Sequence, residues 1–358
     1  MTRDEAVAVF LARAGYGAAR AAPLAQDASF RRYLRLTDGP RPAVLMDAPP
    51  PEDVRPFLTI AAHLSGIGVS APEIIAADAE AGLVLEEDLG DALFPTLFPP
   101  ADVLASWPDL SRPATVHGAA TDGRDKPGHD VEELFDTAID ALVVMHRAAP
   151  PPDLPAWDAA TMRQTALATV FDWWWPATFH GPAPDAARAD VGAALVDILT
   201  PLADGPPTFT HRDFFAGNLL WLPDRAGVRR VGVIDFQGAA ISHPAYDLVS
   251  LLQDARRVIP AAIGTRSVAR YLAARPELDP TTFTAAYAAC AAQRHMRVAG
   301  QWVRLAQRDN RPGYLAYGPH TWALLEDALR QPAAAPLAAA LDRWIPPAHR
   351  CNPPDLAA

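Results

Sequence analysis

The chain has 358 residues, half of them hydrophobic and a fifth charged, enough to bury sizeable cores in one large or two modest domains. A net charge of −11 argues against nucleic acid or an anionic membrane as the main partner, yet allows a phosphate-rich ligand whose charge magnesium carries. No apolar run reaches the length of a membrane span, the N-terminus lacks a secretory pattern, and two isolated cysteines, Cys290 and Cys351, read as free thiols, so the cytoplasm is the expected compartment.

In chain order, the first residues predict an amphipathic helix ending near Gly15 or Gly17. Residues 16–48 read as a β-meander: Phe30 to Leu36 alternates faces, Thr37-Asp-Gly-Pro40 turns, and Ala43-Val-Leu-Met46 is an apolar strand. Pro49-Pro-Pro51 is expected to open a helix with Glu52 and Asp53 in its first turn. Val54, Phe57, Leu58 and Ala61 share its inner face, and Gly66 ends it. A strand pair follows, through Glu73-Ile-Ile-Ala and Leu83-Val-Leu85, and leads into Glu86-Glu-Asp-Leu-Gly90.

Residues 107–130 have no period and are rich in turn formers, which predicts an inserted, mobile surface loop. It resembles peptides encoded by short repeat elements inside bacterial reading frames, and it holds the single lysine, Lys126. Asp130 and Glu133 have capping-box spacing ahead of a helix with Leu134, Ala138, Leu142 and Met145 inward. After a Pro-rich link at 149–155 the remainder reads as largely helical, apart from short strands at 207–210 and 231–234. Helices are expected at 246–257, with Leu248, Leu251, Leu252 and Ala255 inward, and at 280–308 and 318–344.

Between those two strands lies His211-Arg-Asp213-Phe-Phe-Ala-Gly-Asn218, and the second strand ends in Asp235-Phe236. The pattern H-x-D-x-x-x-x-N, then an apolar strand ending in Asp-Phe, is how kinase-like folds place one base and two magnesium ligands. Phosphoryl transfer needs in-line positioning and charge neutralisation more than covalent help. Asp213 is then the group that takes or orients the acceptor's proton, Asn218 and Asp235 supply hard oxygens for Mg2+, and His211 braces the loop.

The chain resembles the aminoglycoside phosphotransferase family of kinase-like folds. Within it, the resemblance runs to the anomeric N-acetylmuramate/N-acetylglucosamine kinases of cell-wall recycling. It is carried by Gln26-Asp-Ala-Ser-Phe-Arg-Arg-Tyr33, Met46-Asp-Ala-Pro-Pro50, residues 211–221, Val233-Ile-Asp-Phe-Gln237, His243-Pro-Ala-Tyr-Asp-Leu248, Leu305-Ala-Gln-Arg-Asp309 and Tyr314-Leu-Ala-Tyr317. The resemblance implies an α+β, two-lobed protein-kinase-like fold. Residues 1–90 would form a small β-rich nucleotide-binding lobe, and 91–358 a large, mostly helical catalytic and substrate lobe. It further implies a monomeric kinase that uses ATP and Mg2+ to phosphorylate the C1 hydroxyl of an amino sugar.

Two parts of a typical kinase site are missing. The strand Ala43-Val-Leu-Met46 has no lysine to meet the phosphates, and the loop Ala25-Gln-Asp-Ala-Ser29 has no glycine. Arg31 or Arg32, with Ser29, is expected to supply the cation, since a guanidinium grips phosphate with two donors. The connector holding Glu86, Glu87 and Asp88 is expected to bind adenine through backbone groups. Of Trp173, Trp174 and Trp175, at least one belongs to the core, because three in a row on a helix cannot face one pocket. His243 and Asp247 are expected to fix the loop after Asp235, and Trp302, Arg304 and Arg308 to lie on the acceptor side. An antibiotic kinase and a nucleotide-binding pseudokinase are the alternatives. The two N-terminal segments of the resemblance argue against the first, and joint retention of Asp213, Asn218 and Asp235 argues against the second.

Overall fold

The computed structural model describes residues 2–24, 31–98 and 131–356. Ser29, the loop 25–29, the segment 107–130 with Lys126, and the cap Asp130 lie outside the described residues. Contacts divide the chain into two compact units, Met1–Phe94 with Gly217–Ala239, and Pro95–Ala216 with Ala240–Ala358.

The first unit opens with α1 (Arg3–Arg13), whose start is sealed by a reciprocal cap: Glu5 N–H donates to Thr2 Oγ1 at 3.2 Å and Thr2 N–H to Glu5 Oε2 at 2.7 Å. The strands β1 (Arg20–Pro23), β2 (Arg32–Thr37), β3 (Ala43–Asp47), β4 (Ile74–Asp78) and β5 (Leu83–Glu87) form one antiparallel sheet in the order β1-β2-β3-β5-β4. Phe10 and Tyr16 pack with Leu36, Ala43, Leu45, Leu83 and Leu85 into a core on one side of it. The β4–β5 turn requires a glycine. Gly82 has φ +65°, and a Cβ there would lie 2.0 Å from the carbonyl oxygen of Ala48.

Helix α2 (Arg55–Gly66) begins later than Pro49-Pro-Pro51 predicts. Asp53 stays outside it and accepts the Arg55 N–H at 3.0 Å, so neither Glu52 nor Asp53 belongs to its first turn. The buried face is Phe57, Ile60, Ala61 and Leu64, and Leu58 is only half-buried. A separate hairpin, β7 (Leu219–Trp221) with β8 (Val231–Val233), completes this unit.

The second unit is mostly helical. Its elements are α3 (Val131–Arg147), α4 (Ala159–Thr169), α5 (Asp185–Leu199), α6 (Ala245–Leu252), α7 (Ala261–Ala274), α8 (Pro280–Arg308), α9 (Gly318–Leu329) and α10 (Ala335–Trp344). The short strands β6 (Thr208–Thr210) and β9 (Ala240–Ser242) pair antiparallel. Helix α8 matches its expected bounds because Asp279 caps it, accepting Thr282 N–H at 2.8 Å, ahead of Pro280.

The helix expected at 246–257 stops at Leu252 and is buried on every face, not amphipathic. Asp254 then turns the chain by accepting Arg256 N–H at 2.9 Å. The helix expected at 318–344 is two helices, because Pro332 and Pro336 cannot donate to the preceding turn.

After α4 the chain widens into a π turn at Val170–Trp174. Gly300 of α8 lies against it, and a Cβ there would stand 2.5 Å from the Thr169 carbonyl. Trp174 is fully buried, with Nε1–H donating to Cys351 O at 2.9 Å, and Trp175 is buried too. Cys290 is buried, Cys351 exposed, and both are free. Among the described residues no helix is long and apolar enough to cross a membrane.

Candidate active site

In the first unit, the β7–β8 hairpin sets Asn218 beside Asp235. Leu219 faces Val233, and Ile234 N–H donates to Asn218 O at 3.1 Å, so the residue before β7 and the residues after β8 are neighbours. Asn218 Nδ2 lies 3.5 Å from Asp235 Oδ2, and Gln237 Nε2–H donates to Asp235 Oδ1 at 2.6 Å. Asp235 has φ +61°, a conformation an aspartate keeps only when its surroundings impose it. They do: Phe236 is buried and stacked on Phe57 at 4.7 Å, while Val233 N–H donates to Ser70 O at 2.7 Å. Asp235 itself remains exposed. A carboxylate and an adjacent amide are hard donors that fit Mg2+.

In the second unit, the loop after β6 is held from below by one carboxylate. Asp247 on α6 accepts His211 N–H at 2.7 Å with one oxygen and Arg212 N–H at 2.8 Å with the other. Arg212 has φ +72°, its carbonyl accepts Ser250 Oγ–H at 3.3 Å, and its guanidinium lies 4.0 Å over the Trp157 ring. His211 is fully buried, and its Nδ1 accepts Asp213 N–H at 3.3 Å, which places it as a brace for the loop. Behind Asp247, His146 Nε2 is at 3.4 Å, His146 Nδ1 is 2.8 Å from Tyr271 Oη, and Arg275 Nη1–H donates to Tyr271 Oη at 2.9 Å. Asp247 therefore holds the loop before Asp213, not the one after Asp235. His243 accepts the N–H of Ala245 at 3.1 Å and is pushed down to about 4 by burial, so it braces the start of α6 as a neutral ring.

Burial acts to raise the Asp213 carboxyl, but Arg294, Arg297, His211 and Arg212 outweigh it and hold the group below the usual carboxylate range. Asp213 is thus held as a carboxylate. Removing Asp247 would strand two buried amides and a strained backbone. Asp247→Ala is expected to cost about 3 kcal/mol of stability and to lower kcat more than it raises KM, read from thermal unfolding and steady-state kinetics. A melting temperature and kcat equal to wild type would contradict this role.

The arginines expected to face phosphate have protein partners in the first unit. Arg31 is buried, and its Nε–H donates to Glu52 at 3.0 Å. Arg32 Nε–H donates at 3.0 Å to Asp47, which also receives Arg3 Nε–H at 2.8 Å. Asp47 is a residue the sequence reading missed, although Arg32 and Asp47 face each other across β2 and β3. In the connector, Glu87 pairs with Arg225 at 2.5 Å and Asp88 with Arg35 at 2.6 Å.

Glu86 is buried, and burial pushes its carboxyl up to about 8 against the pull of Arg31. The stability this group contributes is complete below the reference value of 4.5 and is lost as pH rises through about 8. Glu86→Gln, which cannot ionise, is therefore expected to gain melting temperature over wild type between pH 5 and 9, on the order of a few degrees. A pH-independent difference would contradict this reading.

The expected acceptor-side residues separate. Trp302 is core: Nε1–H donates to Thr321 Oγ1 at 2.8 Å, and the ring stacks on Tyr314 at 5.4 Å. Arg308 pairs with Asp309 at 2.7 Å on the surface, and Asp172 pairs with Arg188. Arg304 is half-buried on the same helix.

Comparison with known proteins gives one family. A family model described as "Phosphotransferase enzyme family" matches residues 20–282. An N-acetylmuramate/N-acetylglucosamine kinase of Caulobacter vibrioides is 36% identical, over 96% of this chain and 97% of that protein. A protein of the same name from Pseudomonas aeruginosa is 33% identical over 88% of this chain and 86% of its own. Among solved structures, a choline/ethanolamine kinase family protein from Mesorhizobium loti aligns with a TM-score of 0.60 at 17% identity, covering 96% of this chain and all of that one. The GDP complex of aminoglycoside 2'-phosphotransferase-IIIa aligns with a TM-score of 0.56 at 14% identity, covering 92% and 98%. The likeness to these structures shows the fold: an antiparallel N-terminal sheet and a mostly helical remainder of the protein-kinase-like type, as the sequence led us to expect.

Proposed function

Because the chain belongs to the phosphotransferase enzyme family, we propose that it transfers the γ-phosphoryl group of ATP to the anomeric C1 hydroxyl of an amino sugar such as N-acetylmuramate or N-acetylglucosamine. The observation that carries this reading is likeness over nearly the full length of both chains to a kinase named for those two sugars. The product would be a sugar 1-phosphate, and the enzyme would work as a cytoplasmic monomer.

In this reaction Asp213 takes the proton of the C1 hydroxyl as that oxygen bonds to the γ-phosphorus, and the bond to the leaving ADP oxygen breaks. Asp247 supports the step by fixing the two amides ahead of Asp213. Asn218 and Asp235 would hold Mg2+, which supplies charge neutralisation at the phosphates when bound. Backbone groups at Glu86, Glu87 and Asp88 would take the adenine. Arg31 or Arg32, with Ser29, would reach the phosphates while sharing their carboxylate partners Glu52 and Asp47. Residues 1–90 would thus carry the nucleotide, and 91–358 the chemistry and the acceptor.

The test is ATP consumption over N-acetylmuramate, N-acetylglucosamine, glucose and kanamycin. The expected result is turnover on the N-acetylated sugars. Turnover confined to kanamycin would overturn the reading in favour of an antibiotic kinase.

A further inference from the structure

Helix α8 carries Arg294, Arg297, Gln301 and Arg304 at alternating steps of three and four, which puts them on one face. Arg294 is 3% exposed, and Arg297 and Arg304 are half-buried. Among the described residues Arg294 Nε and Nη1, Arg297 Nε and Arg304 Nε are buried without a hydrogen-bond partner. Arg297 spends one donor on Tyr246 Oη at 3.3 Å, and the Arg294 guanidinium stands 5.7 Å from the Tyr246 ring centre.

The row starts at Asp213, whose charge Arg294 and Arg297 both stabilise. Arg304 is pushed down by burial and by its neighbours Arg308 and Arg297, with Asp309 opposing. The other carboxyl near Arg294, Asp254, is pushed up by burial and is already engaged by the Arg256 N–H at 2.9 Å. Buried guanidinium donors left unpaired are costly, and polar groups in that condition call for an anion from outside.

We propose that the α8 arginines bind a carboxylate on the acceptor sugar, with Arg304 and Arg297 as the specificity-determining residues. The inference rests on the amino-sugar reading above. N-acetylmuramate is N-acetylglucosamine carrying a lactyl ether that ends in a carboxylate, so the two sugars differ by the group this row recognises. From Arg297 to Arg304 is two turns of helix, about 10 Å, so the cations extend from the hydroxyl at Asp213 toward the far side of the ring. A guanidinium fork meets a carboxylate with two parallel donors, which a neutral sugar cannot reciprocate. The enzyme is therefore built to favour the acidic sugar.

Steady-state kinetics on both sugars tests this. Arg304→Gln is expected to lower the kcat/KM ratio of N-acetylmuramate over N-acetylglucosamine about tenfold or more, through KM of the acidic sugar, with part of the ratio restored by Arg304→Lys. Gln301→Glu adds a negative charge to the same face and is expected to shift the ratio in the same direction, which covers the case in which an arginine variant fails to fold. A ratio unmoved by both substitutions overturns the proposal. An equal loss of kcat on both sugars also overturns it, since the cations would then serve the transferred phosphoryl group. If the wild-type protein phosphorylates neither sugar, the amino-sugar reading falls with it. Wild-type turnover of both, with an unmoved ratio, removes this inference alone.

Discussion

Asp213→Ala is expected to lower kcat on the amino sugar by about 10³-fold, the usual worth of a positioned proton acceptor, while ATP binding persists. Asp213 sits on a loop whose two preceding amides are fixed by Asp247, and its charge is held by Arg294, Arg297, His211 and Arg212. Those cations keep it ionised through the neutral range, so the acid limb of the wild-type kcat/KM profile is expected below the usual carboxylate range. Asp213→Asn keeps the shape and removes the charge, and should lose nearly as much as alanine. Activity within tenfold of wild type in both variants would mean that this carboxylate only positions the loop.

Asp235→Asn is expected to be comparably severe, about a thousandfold in kcat, or about 4 kcal/mol of lost charge stabilisation. Its left-handed backbone, the stack of Phe236 on Phe57 and the bond from Gln237 hold the side chain in place without covering it. The substitution keeps the shape and the bond to Asn218 but removes the negative charge a hard cation needs. The magnesium concentration for half-maximal rate should rise at least about tenfold, whereas melting temperature should stay near wild type because Asp235 is exposed. An unchanged magnesium dependence would contradict the assignment.

The parts of this molecule that the sequence made legible are those fixed by short-range geometry. Asn218 and Asp235 meet because a two-stranded hairpin brings the residues at its two ends together. Helix α8 has the bounds expected at 280–308, and the structure supplies the reason at its start, where Asp279 caps it ahead of Pro280. What the sequence hid depends on distant partners. Asp247 lies far from His211 and Arg212 in the chain, and nothing local distinguishes a carboxylate that grips that loop from one that grips the loop after Asp235. Arg31 and Arg32 read as free cations because Glu52 and Asp47, their partners, come from other elements. Alanine-rich helix periodicity also ran over Pro332 and Pro336, which carried one predicted helix across two real ones.

The central claim, anomeric phosphorylation of an amino sugar, is tested most directly by phosphorus and proton NMR of the product formed from ATP and N-acetylmuramate. The account predicts a phosphate coupled to the anomeric proton, with the reducing-end signals of the free sugar gone, and no such product from Asp213→Ala. A phosphate on any other carbon, or the same C1 product from Asp213→Ala at the wild-type rate, would contradict it.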